Sequence, residues 1–381
     1  MLRRMRVALV HDWLTGRRGG ERVLEQLAIM YPDADCYTLV HVPGSTFDAI
    51  ERLRIHTSAL SRIPGVERHY RKLLPLMPAA IERFRLEGYD LVVSTSHAVA
   101  KGVRVARGTP HVCYCFTPMR YVWDQADAYL GRGLRRAAAA PLVAWLRRWD
   151  ARSSTPERVT RFIAISHGVA DRIRRHYGRE ADVLYPGVAT ERIAPASGPP
   201  EDFYLLVGGF VPYKREDLAL EAFRRLDRPL VVVGDGPTRA ALEAAAPSNV
   251  RFAGRVSDAE LESLFRSCRA LVYPQDEDFG IIAVEAQAAG RPVVAYARGG
   301  ATETVVPLDD DAGRAPTGTW FDLQTPEALA DAVETLERRY AEFDSVAIRR
   351  HAEGFSNERF RREMAAALAE TLSASLQLSS H

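Results

Sequence analysis

The sequence predicts an α/β protein built from two doubly wound domains. Three observations carry that expectation: 381 residues with 47% hydrophobic content, short β-branched runs alternating with helix-length segments, and a break bearing Pro and Gly near mid-chain. A chain of this length exceeds one ordinary core and has material for two. In the first half, strand-like runs fall at residues 6–11, 90–95, 111–116 and 161–166. The second half repeats the rhythm at 204–208, 229–234, 250–253, 270–273 and 292–296. The break is Leu184-Tyr185-Pro186-Gly187-Val188 followed by the loose stretch 195–202. An N-terminal domain is therefore expected over residues 1–190 and a C-terminal domain over 191–356. Residues 357–381 have helical spacing with no following strand, and are expected to form a helix that packs back on the N-terminal domain.

Composition narrows the function classes. No apolar run approaches the roughly 18 to 20 residues needed to cross a bilayer, and the opening run 7–10 passes directly into His11 and Asp12 rather than a cleavage site. A cytoplasmic protein is expected. Cys36, Cys113, Cys115 and Cys268 lack a zinc-ligand spacing and read as buried, reduced thiols. The net charge of +2 hides an asymmetry: residues 1–190 carry 30 basic and 18 acidic side chains, and the remainder 21 and 31. The basic half suits anionic partners, either phospholipid headgroups or a polyprenyl-diphosphate carrier. Nucleic acid is not expected as a partner, because no helix-turn-helix, zinc or stacking-platform pattern accompanies the charge.

The most informative stretch runs from Tyr273 through Glu277, Phe279, Gly280 and Glu285 to Gly290. A strand ends at Tyr273, acidic residues occupy the loop, and a helix begins near Phe279 or Gly280. Such a junction at the carboxyl edge of a parallel sheet is where doubly wound folds bind ligands. The amides of Phe279, Gly280 and Ile281 would face the ligand with the helix dipole behind them, and Gly280 lets it approach the backbone. Glu277 falls at the helix mouth and Glu285 about two turns along, so one ligand can span both. With residues 277–285 reading Glu-Asp-Phe-Gly-Ile-Ile-Ala-Val-Glu, the chain resembles the retaining GT-B glycosyltransferases of the glycogen-synthase and sucrose-synthase-like family, glycosyl transferases group 1. The resemblance implies two facing Rossmann-like domains with an interdomain cleft, Glu277 on the transferred sugar and Glu285 on the nucleotide ribose.

Further elements carry over by the same resemblance. Residues 207–215 contain Gly209, Lys214 and Arg215, and family members use this loop for the donor diphosphate; Gly209 stands where many of them have an arginine. Cations there would stabilise leaving-group charge as the glycosidic bond breaks, whereas the competing reading is a surface pair on a loop. Arg255 and Val256, in the turn before the next helix, resemble the loop that frames the nucleotide base. Gly299 and Gly300 read either as a phosphate nest or as glycines serving a turn. In the first half, Gly19 and Gly20 resemble the family's glycine-rich loop near donor phosphates and acceptor.

His97 follows the strand-like run 90–95. In related enzymes a histidine here contacts the transferred sugar, which assigns it a catalytic orienting role, while a lone histidine otherwise serves as cap or packing group. Residues 113–124 resemble a bacterial subgroup that transfers mannose during polysaccharide or O-antigen assembly, with Arg120, Tyr121 and Trp123 lining an acceptor groove or, alternatively, packing in the core. Two basic, apolar segments, 68–75 and 130–152, read equally as membrane-facing surfaces or as amphipathic helices turned to their own core.

The implied reaction moves a hexose, with GDP-mannose the leading donor and UDP-linked hexoses next, to a hydroxyl of a lipid-carrier-linked glycan with retention. Glu277, His97, Lys214 and Arg215 form the expected catalytic set. The leaving phosphate accepts the acceptor's proton in a same-face displacement. No metal or other cofactor is expected, although Asp276-Glu277-Asp278 imitates the acidic metal motif of other transferases. The rivals are a nucleotide-sugar epimerase of the same architecture, a non-catalytic sugar-nucleotide scaffold, and a nicotinamide oxidoreductase. The last lacks the glycine fingerprint, since Arg239 takes the third position after Gly234 and Gly236.

Overall fold

A computed structural model of the chain describes residues 5–124 and 134–379. The chain divides into two compact units, Met1–Gly187 with Phe360–His381, and Val188–Arg359. Each unit is a Rossmann-like layer of parallel strands flanked by helices.

The first domain's strands are β1 (Val7–His11), β2 (Asp35–Thr38), β3 (Arg54–Thr57), β4 (Arg85–Leu86), β5 (Leu91–Ser96), β6 (Arg104–Val105), β7 (His111–Cys115), β8 (Arg161–Ala164) and β9 (Asp182–Val183). Seven of them form a sheet in the order β3-β2-β1-β5-β7-β8-β9, and β4 pairs with β6 in a separate ladder. Every pairing in the sheet is parallel. Strands β1, β5 and β7 are buried along their whole length, as near-continuous apolar runs covered on both faces must be. By contrast β2, β3 and β9 do not stand out in the sequence. Asp-Cys-Tyr-Thr and Arg-Ile-His-Thr are short, polar and only partly buried, and their strand state comes from pairing with β1 and each other rather than from local preference.

The second domain has β10 (Tyr204–Gly208), β11 (Leu230–Gly234), β12 (Val250–Gly254), β13 (Leu271–Tyr273), β14 (Val293–Tyr296) and β15 (Gly318–Phe321). Their order, β12-β11-β10-β13-β14-β15, is the doubly wound arrangement in which the chain starts at the centre, winds to one edge and returns to build the other. Its core includes Tyr204, Phe210, Phe223, Val232 and Leu329, all essentially inaccessible to solvent.

The helices that matter for the site are α1 (Gly19–Met30), α2 (Leu134–Arg152), α3 (Glu216–Leu226), α4 (Asp258–Ser267), α5 (Ile281–Ala288) and α6 (Asn357–Ser379). Helix α4 starts with a reciprocal capping box between Ser257 and Glu260, which satisfies two otherwise orphaned donors. Helix α6 packs on the first domain: Phe360, Met364 and Leu368 are buried, the Phe360 ring meets Tyr114 edge-on at 5.6 Å, and Arg161 donates to the Ala367 carbonyl at 2.8 Å.

Two places in this topology select themselves. In the first sheet the winding direction reverses between β1 and β5, and in the second between β10 and β13. At such switch points adjoining loops leave in opposite directions and open a crevice at the carboxyl ends of the strands. Asp12 follows β1 and His97 follows β5; the loop holding Gly209, Lys214 and Arg215 follows β10, and the Glu277 loop follows β13.

Candidate active site

In the second domain an ion pair joins the two switch-point loops. Lys214 Nζ stands 3.0 Å from Glu277 Oε1, and the Tyr273 hydroxyl donates to Glu277 Oε2 at 2.8 Å. Burial works against the Lys214 charge, but the Glu277 carboxylate beside it prevails and holds the ammonium above its ordinary range. Burial and the same carboxylate push the Tyr273 phenol well up, so it stays a neutral donor. Glu277 is thus held by a cation on one oxygen and a phenol on the other, in a partly shielded position.

The backbone around this pair is tightly determined. Gly280 has φ +88° and caps α5; a Cβ there would lie 2.7 Å from the Tyr273 hydroxyl, so the position excludes a side chain on both conformational and steric grounds. Helix α5 begins at Ile281, which places the buried Glu285 one turn inside it, nearer the mouth than the two turns the sequence predicts. Gly299 and Gly300 press directly on the acidic loop. A Cβ on Gly300 would stand 2.2 Å from the Phe279 Cα, and the Gly300 amide donates to the Glu277 carbonyl at 2.7 Å. Close backbone approach thus gives these glycines a packing use, with the Gly300 amide engaged by the Glu277 carbonyl.

Arg215 has φ +57° at the start of α3, and its guanidinium pairs with Asp217 at 3.2 Å rather than with Glu277. Gly209 is roomy, the nearest atom to an added Cβ being the Asp235 carbonyl at 3.9 Å. Arg255 is exposed and reaches Asp235 at 3.3 Å; Val256 lies beside it before the capped start of α4. Sequence reasoning missed Glu216. This residue is buried, its Oε1 has no hydrogen-bond partner, and burial pushes its carboxyl up to about 7 against the pull of Lys214. An acidic residue directly after a Lys-Arg pair, at the start of an otherwise amphipathic helix, is the only signal the sequence offers for it.

In the first domain, Asp12 is fully buried and accepts hydrogen bonds from four consecutive backbone amides. Its Oδ2 takes those of His97 and Ala98 at 2.8 and 3.0 Å, and its Oδ1 those of Val99 and Ala100, each at 2.7 Å. The His97 ring Nδ1 also lies 3.0 Å from Asp12 Oδ2. Trp13 meets the His97 ring edge-on at 4.6 Å and Phe116 lies at 6.3 Å. His11 bonds Thr95 at 2.7 Å, and burial lowers its pKa to about 4, so it is neutral near pH 7. Gly19 and Gly20 open α1; a Cβ on Gly20 would sit 3.3 Å from Phe116 and 3.4 Å from His11. The glycine loop and His97 thus share one neighbourhood through His11 and Phe116.

The acceptor candidates have established neighbours. Trp123 donates its indole N–H to the buried carboxylate of Asp150 at 2.7 Å, stacks on His176 at 4.5 Å and is covered by Arg147 at 5.1 Å. Asp150 is also the partner of the buried Lys101. Tyr121 packs at the edge of the first domain's core, and Arg120 is half-buried beside it. In α2, Val143 and Leu146 face that core while Leu142 and Trp145 are exposed; residues 130–133 of the predicted basic segment lie outside the described residues. All four cysteines are free and buried. Among the described residues no three His, Cys, Asp or Glu side chains converge as metal ligands, and no helix is long and apolar enough to cross a membrane.

Solved structures with the same architecture are GT-B enzymes. Anabaena Alr3699/HepE, solved with UDP and glucose, superposes with a TM-score of 0.69 at 16% identity, covering 96% of this chain and 99% of that one. Sucrose-phosphate synthase of Thermosynechococcus elongatus gives a TM-score of 0.72 at 19% identity, covering 97% and 100%. The chain therefore has the GT-B fold. Residues 189–350 match the model of glycosyl transferases group 1 and residues 17–192 that of glycosyltransferase family 4. Among curated relatives, an uncharacterized glycosyltransferase of Methanocaldococcus jannaschii, MJ1178, is 32% identical over 38% of this chain and 42% of that protein. The D-rhamnosyltransferase WbpZ of Pseudomonas aeruginosa is 32% identical over 43% and 47%, and the O-antigen chain mannosyltransferase C of Escherichia coli 35% identical over 28% and 30%. The chain thus spans less than half the length of these relatives.

Proposed function

We propose that the protein is a retaining glycosyltransferase that moves a hexose from a nucleotide sugar to a hydroxyl of a lipid-carrier-linked glycan. The observation that carries this reading is the Lys214–Glu277 pair, closed at 3.0 Å across the switch point of the second sheet. A nucleoside diphosphate needs a cation at that crevice, and a sugar needs an oriented carboxylate beside it. In this reading Lys214, Arg215 and the amides of Phe279, Gly280 and Ile281 receive the diphosphate. Glu285 takes the ribose hydroxyls, and Arg255 and Val256 flank the base. Glu277 accepts hydrogen bonds from the transferred sugar, and His97 on the first domain orients it.

Lys214 already has a counterion, so an arriving diphosphate competes with Glu277 for it. That competition releases the carboxylate towards the sugar as negative charge builds on the leaving group. The leaving phosphate oxygen takes the acceptor's proton as the new bond forms on the same face, so no separate base is needed. The transfer is proposed to be metal-independent. GDP-mannose is the proposed donor, supported by the mannosyltransferase-like run 113–124 and by the E. coli relative; UDP-hexoses follow, supported by the UDP-bound neighbour. Arg120, Tyr121 and Trp123 are the proposed acceptor contacts, and the exposed basic face of the first domain is proposed to meet an anionic membrane.

The test is a thermal-shift panel of nucleotide sugars followed by transfer assays with and without EDTA. A donor present at a hundred times its Kd stabilises the fold by about 2.7 kcal/mol. GDP-mannose is expected to give the largest shift, and Glu277→Gln to lower kcat by about 10²–10³-fold while the fold persists. The transferase reading fails if no nucleotide sugar raises the Tm, or if the donor sugar is altered without an acceptor, which marks an epimerase. Loss of activity in EDTA overturns the metal-free part.

A further inference from the structure

The Asp12 carboxylate is engaged beyond what a turn requires. Capping the segment that follows β5 accounts for its four backbone amides, but not for the fifth contact, the His97 ring at 3.0 Å. Burial disfavours the Asp12 charge, yet the neighbouring His97 and its hydrogen bonds hold the carboxyl well below the ordinary range. An ionised carboxylate only accepts, so the ring nitrogen facing it carries the proton. The other ring nitrogen, Nε2, then bears the lone pair in the neutral ring, and the ring's tilt is confined by Trp13 on one side and Phe116 on another. Among the described residues, the titratable groups near His97 include His11, neutral at ordinary pH, and Glu21, buried at the start of α1.

We propose that Asp12 is a positioning residue for glycosyl transfer. It fixes both the tautomer and the aim of His97, so that Nε2 is presented as a hydrogen-bond acceptor to a hydroxyl of the transferred sugar. The inference rests on the glycosyltransfer reading for its substrate, but the Asp12–His97 coupling does not. One carboxylate holds the backbone from His97 to Ala100 and the His97 ring together, so ring and loop move as one body. A carboxylate that orients a histidine through its far nitrogen commonly matters by one to two orders of magnitude.

The experiment uses the full chain labelled with ¹⁵N-histidine, with the His97 signals assigned by their loss in His97→Gln. The Nδ1–H tautomer is expected in the parent protein, and an Nε2–H tautomer overturns the proposal without any substrate. In Asp12→Asn, checked for folding by its thermal transition, the tautomer preference is expected to shift and kcat to fall roughly 10- to 100-fold. In the His97→Gln background the same change should cost little more. An equal loss in both backgrounds makes Asp12 a cap only and overturns the coupling. If Asp12→Asn does not fold, the parent tautomer decides. If the parent turns over no nucleotide sugar, the sugar contact falls with the transferase reading while the tautomer result still judges the coupling.

Discussion

Glu216 titrates where cells live, and its sign can be worked out. Burial raises its folded-state pKa to about 7 from the ordinary 4.5, so the folded chain binds this proton more tightly than the unfolded chain. The associated stability is fully present below about pH 4.5 and is lost as pH rises through about 7. Glu216→Gln keeps the shape and removes the titration. The variant should match the parent at pH 4.5 and exceed it by about 1 kcal/mol at pH 8, a figure reduced for residual solvent screening. Melting temperatures of both proteins across that range check it, and a pH-independent difference would rule the ionisation out as the cause. At this scale Glu277 and Gly280 stood out in the sequence because they share one strand-loop-helix junction, and Lys214 because it lies in the separate loop 207–215. Asp12 was not, because its partners lie 85 to 88 positions away and meet it only once β1 pairs in parallel with β5.

At the scale of elements, the mouth of α5 depends on glycines used in two different ways. Gly280 sits in the left-handed region against the Tyr273 hydroxyl, which itself holds Glu277. Gly280→Ala must therefore strain the backbone and displace Tyr273, and is expected to cost about 1–3 kcal/mol. Transfer activity should fall with it, since the carboxylate loses the support of the Tyr273 hydroxyl. Gly209→Ala is the control: its Cβ meets nothing closer than 3.9 Å, and the change should stay within about 0.5 kcal/mol. Comparable destabilisation of the two variants in denaturant melts would contradict this account. The central strands were readable for a related reason. Burial on both faces forces continuous apolar runs on β1, β5, β10 and β11, whereas β2, β3 and β15 borrow their state from neighbours. Gly318 of β15 shows this, its missing Cβ leaving room for the Val293 carbonyl on the adjacent strand.

For the molecule as a whole, the charge division is the feature that no single element explains. The 30 basic side chains of residues 1–190 against 18 acidic ones are partly displayed with apolar groups. Arg62, Arg68, Arg71 and Lys72 are exposed near Ile63 and Leu76, which are 41% and 53% accessible; on α2, Arg148 is exposed beside Trp145, 45% accessible. Core packing accounts for Val143 and Leu146 but leaves these outward apolar groups without a reason, whereas an anionic interface takes both the charges and the wedges. Each basic side chain near such a surface contributes about 1 kcal/mol, and the attraction decays within a Debye length of roughly 10 Å at 0.1 M salt. The full chain is therefore expected to float with vesicles containing anionic phospholipid at low salt, to detach as salt rises, and to ignore purely zwitterionic vesicles. Arg68→Glu, Arg71→Glu and Lys72→Glu together should weaken binding at least tenfold. The parent's failure to bind at low salt, or indifference to lipid charge, would leave the exposed groups to protein partners instead.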